Sequence, residues 1–76
     1  MKVEQVRNMM IKMCPGRSVC VARRAWYYSG VAEKTVEYRV SVLPGYDGKD
    51  CQGFGGESFD ACLTLLREAI GAATTG

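Results

Sequence analysis

The chain has 76 residues, of which 47% are hydrophobic and 24% charged, and its formal net charge is +2. This length leaves room for one small domain, residues 1–76, and the composition excludes an intrinsically disordered chain. No run approaches the roughly 20 apolar residues that span a bilayer, so the sequence predicts no membrane-spanning segment. Because a domain of this size has a limited core, it is also consistent with a homodimer.

The first residues lack the apolar core of a signal peptide, because Lys2, Glu4 and Arg7 interrupt it. This pattern predicts a cytoplasmic protein, in which cysteines remain reduced. The four cysteines are therefore predicted to be buried thiols, since free cysteine is among the most buried residue types. With no histidine and no closely spaced cysteine pair, the sequence predicts neither a metal site nor a cofactor.

Two helices are predicted from apolar residues that recur every three or four positions. The first spans about residues 2–14, where Val3, Val6, Met10 and Met13 form a stripe that ends before Pro15. The second spans about residues 58–72, followed by a fraying tail at 73–76. Its N-cap is predicted to be Ser58, its first turn carries Asp60, and its apolar stripe consists of Phe59, Cys62, Leu63, Leu66, Ile70 and Ala73.

Three strands are predicted between the helices, at about residues 17–28, 34–43 and 50–54. The second alternates most clearly, with Val36, Tyr38, Val40 and Val42 on the packed face. The first two strands are expected to pair as an antiparallel hairpin. Together these elements predict an α+β fold of the order α-β-β-β-α, with two helices packed on one face of a three-stranded antiparallel sheet.

The sequence offers little material for catalysis, because it lacks histidine and any recognisable nucleophile motif. Asp47 and Asp50 lie beside glycines and are interpreted as turn formers. The run Gly53-Phe54-Gly55-Gly56 has the composition of a phosphate loop, but no lysine follows it and Glu57 and Asp60 would repel a phosphate. The protein is therefore predicted not to be an enzyme.

Basic residues are concentrated in the first half of the chain, and several are interleaved with aromatic residues. This pattern fits three interpretations: a protein-binding surface, a nucleic-acid-binding surface, or plain structure. Strand alternation places Arg24, Trp26 and Tyr28 on one face and Arg23 and Tyr27 on the other. The candidate partner-binding residues are Arg17, Arg23, Arg24, Trp26, Tyr28 and Arg39.

The order of elements, with Gly53 and Gly55 leading into the second helix, resembles the double-stranded-RNA-binding domain over nearly the whole chain. That family carries a lysine pair and a further lysine at the start of its second helix, where they grip phosphates. This sequence has Gly56, Glu57, Ser58, Phe59 and Asp60 there. The resemblance therefore implies the fold and leaves RNA binding as the alternative function.

A second resemblance covers the segment from Tyr38 through Leu43, Pro44 and Gly45 to the start of the second helix, at Gly56, Ser58, Ala61 and Leu65. This segment is similar to the strand-to-helix half of HicB-type antitoxins, although those chains normally open on a strand. The overall layout also resembles small phage and prophage proteins, many of which inhibit or adapt host machinery. These resemblances imply a small accessory protein that acts on a protein partner.

Overall fold

The first helix, α1, runs from Val3 to Met13 in the computed structural model, which describes residues 1–27 and 33–75, with side chains for 1–27 and 36–73. The backbone N–H of Lys2 donates to Gln5 Oε1 at 2.8 Å and so satisfies one of the free donors at the helix start. The chain leaves the helix through Gly16, whose φ of +79° favours glycine. Val6 and Met10 of α1 are buried and Met13 is half-buried, as the apolar spacing predicts, but Val3, expected on the same stripe, is exposed.

Three antiparallel strands follow in the spatial order β1-β2-β3, so the predicted α-β-β-β-α architecture is confirmed. Their bounds are Ser18–Tyr27 for β1, Glu33–Leu43 for β2 and Gln52–Gly56 for β3. The third strand lies two residues later than the predicted 50–54, because its register pairs Gly56 with Tyr38 and Gln52 with Val42. Gly55 and Gly56, which lie beyond the predicted end of the strand, are thus part of the sheet.

The pairing of β3 ends at Tyr38, whereas β1 and β2 remain paired as far as Tyr27 and Glu33. Residues 24–27 and 33–37 therefore form a two-stranded ribbon that extends beyond the third strand. The described molecule is accordingly elongated, with principal extents of 49 × 20 × 19 Å. This ribbon carries two of the candidate binding residues, Arg24 and Trp26.

A tight turn connects β2 to β3. Gly45 donates its backbone N–H to the Lys49 carbonyl oxygen at 2.8 Å, and Asp47 Oδ1 accepts the N–H of Lys49 at 3.0 Å. Gly48 has a φ of +86°, a conformation that glycine adopts readily. Asp47 is therefore a turn former, as predicted.

The second helix, α2, runs from Phe59 to Thr75. Ser58 Oγ accepts the backbone N–H of Ala61 at 3.1 Å, which confirms the predicted N-cap. The helix continues three residues past the predicted end at 72, because the alanines after Gly71 are strong helix formers. The predicted tail at 73–76 is thus helical up to Thr75.

One core joins both helices to the same face of the sheet, with β2 at its centre. Its fully buried side chains are Val6, Met10, Cys14, Val40, Val42, Phe59, Cys62, Leu63 and Leu66. Two of the cysteines expected in the core lie outside it: Cys20 and Cys51 are exposed. Cys20 alternates with the inward-facing Val19 and Val21, and Cys51 precedes β3, so neither position faces the helices.

Candidate partner-binding surface

The sheet has one face covered by the helices and one open face. Val40, Val42 and their neighbours pack on the covered side. Alternation and register then assign the intervening residues to the other side. We call this surface the open face, and within the described side chains it comprises Ser18, Cys20, Ala22, Arg24, Trp26, Glu37, Arg39, Ser41, Leu43, Gly53 and Gly55.

The open face has large apolar side chains at its two ends, with the charged Arg24, Glu37 and Arg39 and several small side chains between them. Trp26 is 43% exposed near the end of the ribbon, and Leu43 is 41% exposed at the opposite end. Between them, Cys20, Ala22 and Ser41 give a low surface of small side chains. Such a surface is accessible to another macromolecule along most of its length.

Two arginines of the open face lie near one another. Arg39 on β2 is the register partner of Ala22 on β1, and Arg24 lies two residues after Ala22 on β1. Diagonal neighbours of this kind have Cα atoms about 7–8 Å apart. Glu37, the register partner of Arg24, is the only acidic residue on this face among the side chains that are described.

The Arg39 guanidinium lies over the backbone of β3, where two glycines leave space for it. A Cβ atom built on Gly53 would be 2.6 Å from Arg39 Nη2 and 3.1 Å from Cζ. The first distance is too short for a real contact, so the guanidinium group would have to move. A Cβ atom on Gly55 would be 4.0 Å from Nη1, which is an ordinary contact. Gly53 is therefore the position that allows Arg39 to adopt this conformation.

Arg23 and Tyr27 belong to the covered side of the sheet. The Arg23 guanidinium lies 5.8 Å from the centroid of the Tyr38 ring, and that ring meets Phe59 edge-to-face at 4.7 Å. Tyr27 is 66% exposed. The structure thus separates Arg23 and Arg24 by the thickness of the sheet, as strand alternation predicts.

Beneath Tyr38, the covered side includes a buried thiol. The Cys62 thiol donates to the Tyr38 carbonyl oxygen at 3.3 Å, and burial raises its pKa. A buried thiol with a raised pKa is poor as a nucleophile or a metal ligand, because both roles need the thiolate. Cys62 is therefore a core residue.

Arg17 lies apart from the open face, at the end of the sheet near the β2–β3 turn. Its Nη1 donates to the carbonyl oxygens of Pro44 at 2.6 Å and Gly45 at 3.4 Å, and its guanidinium lies 4.0 Å over the Tyr46 ring. These contacts give Arg17 a structural role in holding the turn. Tyr28, another candidate residue, lies outside the described residues.

The described residues give no support to the other types of site. No group of three or more potential metal ligands occurs among them. The glycine run that resembled a phosphate loop forms β3, so it does not lie at a helix N-terminus with free amides. A depression of about 260 Å³ lies between the β2–β3 turn and α2, lined by Tyr46, Asp47, Gln52, Ala69, Ala72 and Ala73.

The placement of Arg39 over Gly53 was not predicted from the sequence. The available signal was a Gly-x-Gly pattern in a strand that pairs with an arginine on the neighbouring strand. That signal becomes visible only when the register is known, because a shift of β3 by one residue would bring Phe54 instead of the glycines to the face of Arg39.

Comparison with protein families, with curated proteins and with solved structures found no match to this chain. Neither described helix combines the length and apolar character needed to cross a membrane.

Proposed function

We propose that this protein is a small, non-enzymatic binding module that regulates a protein partner by docking through its open face. It would then be an inhibitor or adaptor of the kind found among phage accessory proteins. The observation that carries this proposal is the exposed Trp26, which shares the uncovered side of the sheet with Arg24 and Arg39. Tryptophan and arginine are the residues most often found as energetic anchors of protein interfaces.

The distribution of the basic residues favours a protein partner over RNA, the alternative function. Arg17 is held by the turn, and Arg23 lies on the covered side beside Tyr38. The open face is left with two arginines and Glu37, which is a sparse array for a polyanion with a phosphate at every nucleotide. A mixed surface of this composition is more typical of a protein interface.

Affinity capture with chemical crosslinking would test the proposal, comparing the wild-type chain with the double variant Arg24→Ala/Trp26→Ala. The matched control is Tyr27→Ala, which removes the neighbouring aromatic residue from the opposite side of the same strand. We expect the double variant to lose the crosslinked protein and the control to retain it. Retention of every partner by the double variant would exclude the open face as the docking surface.

A salt titration with single- and double-stranded RNA and DNA would test the alternative. Nucleic-acid binding predicts an affinity that falls steeply with salt, because phosphate contacts release counterions. A micromolar, salt-sensitive complex that is lost in the same double variant would replace the protein-partner proposal by the RNA one. We expect no complex with any of the four nucleic acids at low salt.

A further inference from the structure

The conformation of Arg39 has a consequence for the chemistry of the partner. Nη2, Cζ and Nε of the guanidinium group all lie within 3.2 Å of the position that a Cβ atom on Gly53 would occupy, so the group lies beside β3 on the open face. It makes no hydrogen bond or ion pair with any residue that the structure describes. Its N–H donors are thus exposed on the open face and are not used inside the domain.

An exposed arginine whose donors are not used inside the domain can bind an anionic group. The missing side chain of Gly53 leaves the space in which the guanidinium lies. The fork of guanidinium donors matches the two oxygens of a carboxylate, which it binds in a bidentate manner. Gly53 therefore acts as a positioning residue for Arg39.

We propose that the open face binds an acidic segment of its partner protein, with a carboxylate on Arg39 and a second on or near Arg24. This inference rests on the proposed docking function and specifies the chemistry of the same surface. Charge complementarity supports this inference, because two arginines and a single glutamate give the described part of this face a net positive charge. Trp26 and Leu43, at the ends of the face, provide apolar contacts that would flank the carboxylates.

The glycines of β3 offer a test that leaves the charge of the face unchanged. Gly53→Ala would place a Cβ atom 2.6 Å from Arg39 Nη2 and so displace the guanidinium, whose flexible end can move away. Gly55→Ala adds the same methyl group to the same strand and face but makes only an ordinary contact with Arg39. The second variant is therefore a matched control.

The probe is a capped peptide of glutamate and leucine, compared with a peptide in which lysine replaces each glutamate. Binding is followed by NMR through the side-chain Nε–Hε signals of the arginines and the indole N–H of Trp26. We expect the glutamate peptide to shift the signals of Arg24, Arg39 and Trp26, and to bind Gly53→Ala about two- to tenfold more weakly than wild type. Gly55→Ala should bind as wild type does, and Arg39→Gln should lose most of the affinity.

Three results would overturn the inference: no shift with the glutamate peptide at millimolar concentration, equal binding of the lysine peptide, or equal binding by Gly53→Ala and wild type. Capture of a partner through the open face together with any of these results would leave the docking proposal intact and remove the acidic chemistry. Shifts confined to residues of the helices would count against both.

Discussion

The guanidinium group of Arg17 lies 4.0 Å over the ring of Tyr46, and this pair connects the exit of α1 with the turn between β2 and β3. The same guanidinium donates to two consecutive carbonyl oxygens of that turn. Tyr46 in turn donates its backbone N–H to Gln52 Oε1 at 2.9 Å, at the start of β3. Arg17 thus stabilises the end of the sheet remote from the ribbon.

Arg17→Ala should lower the free energy of unfolding by about 1–3 kcal/mol, because it removes charge-assisted hydrogen bonds and a cation–π contact. Arg24→Ala removes the same side chain from the open face and should change stability by no more than about 0.5 kcal/mol. Urea unfolding followed by tryptophan fluorescence measures both values. Equal stabilities of the two variants would contradict the structural role of Arg17.

Two leucines of α2 provide a matched test of the core. Leu63 packs against the sheet and is 1% exposed, whereas Leu65, two residues later, is 41% exposed. Leu63→Ala should cost about 2–5 kcal/mol through lost burial and the cavity left behind, and Leu65→Ala about 0.5 kcal/mol or less. Thermal or urea unfolding of the two variants would refute this packing if their losses were similar.

The parts of the fold that the sequence predicted are those set by local periodicity. The spacing of Val6 and Met10 identified the inner side of α1, and the alternation of Val40 and Val42 identified the packed side of β2. Ser58 was identifiable as a cap because capping requires only a side-chain oxygen just before the first helical turn. Each of these features depends on residues close together in the chain.

Features that depend on pairing between distant residues were less predictable. The bounds of β3 follow from its register with β2, and its glycines give no alternation from which to infer that register. Arg17 was predicted as a binding residue because of its charge, but its contacts with the β2–β3 turn involve residues 27 and 28 positions away. Strand alternation alone separates Arg23 from Arg24, whereas deciding which of the two lies on the covered side requires the packed helices. Their role in binding a partner stays a prediction.

The four cysteines should divide into two reactive and two protected thiols under native conditions. Cys20 and Cys51 are exposed, whereas Cys14 and Cys62 are buried. Burial also raises the pKa of the Cys62 thiol, which lowers its thiolate fraction further. Titration with a thiol reagent should show two thiols per chain that react fast in the folded protein and two more that react only on unfolding. Cys20→Ser should remove one fast equivalent, and a fast reaction of all four thiols in the folded protein would contradict the assignment.

The stability of the domain should also fall at alkaline pH through Tyr46. Burial, together with the neighbouring Cys14 thiol, raises the pKa of the Tyr46 phenol above 10.0, and Arg17 opposes the shift. The folded protein therefore retains the phenol proton more tightly than the unfolded chain does. This contribution to stability is complete below pH 10 and is lost as the pH rises through the raised pKa of Tyr46.

Tyr46→Phe removes the titrating group, so the stability of this variant should fall less steeply above pH 10 than that of the wild type. Urea unfolding at pH 8 and at several values above pH 10 measures the two slopes, and their difference removes the titration of groups that do not interact with Tyr46. Arg17→Ala should raise the pKa of Tyr46 further, because it removes the charge that favours the phenolate. Ultraviolet titration of the phenolate band measures that shift. Parallel slopes for wild type and Tyr46→Phe would show that Tyr46 ionises equally in both states and would contradict the raised pKa.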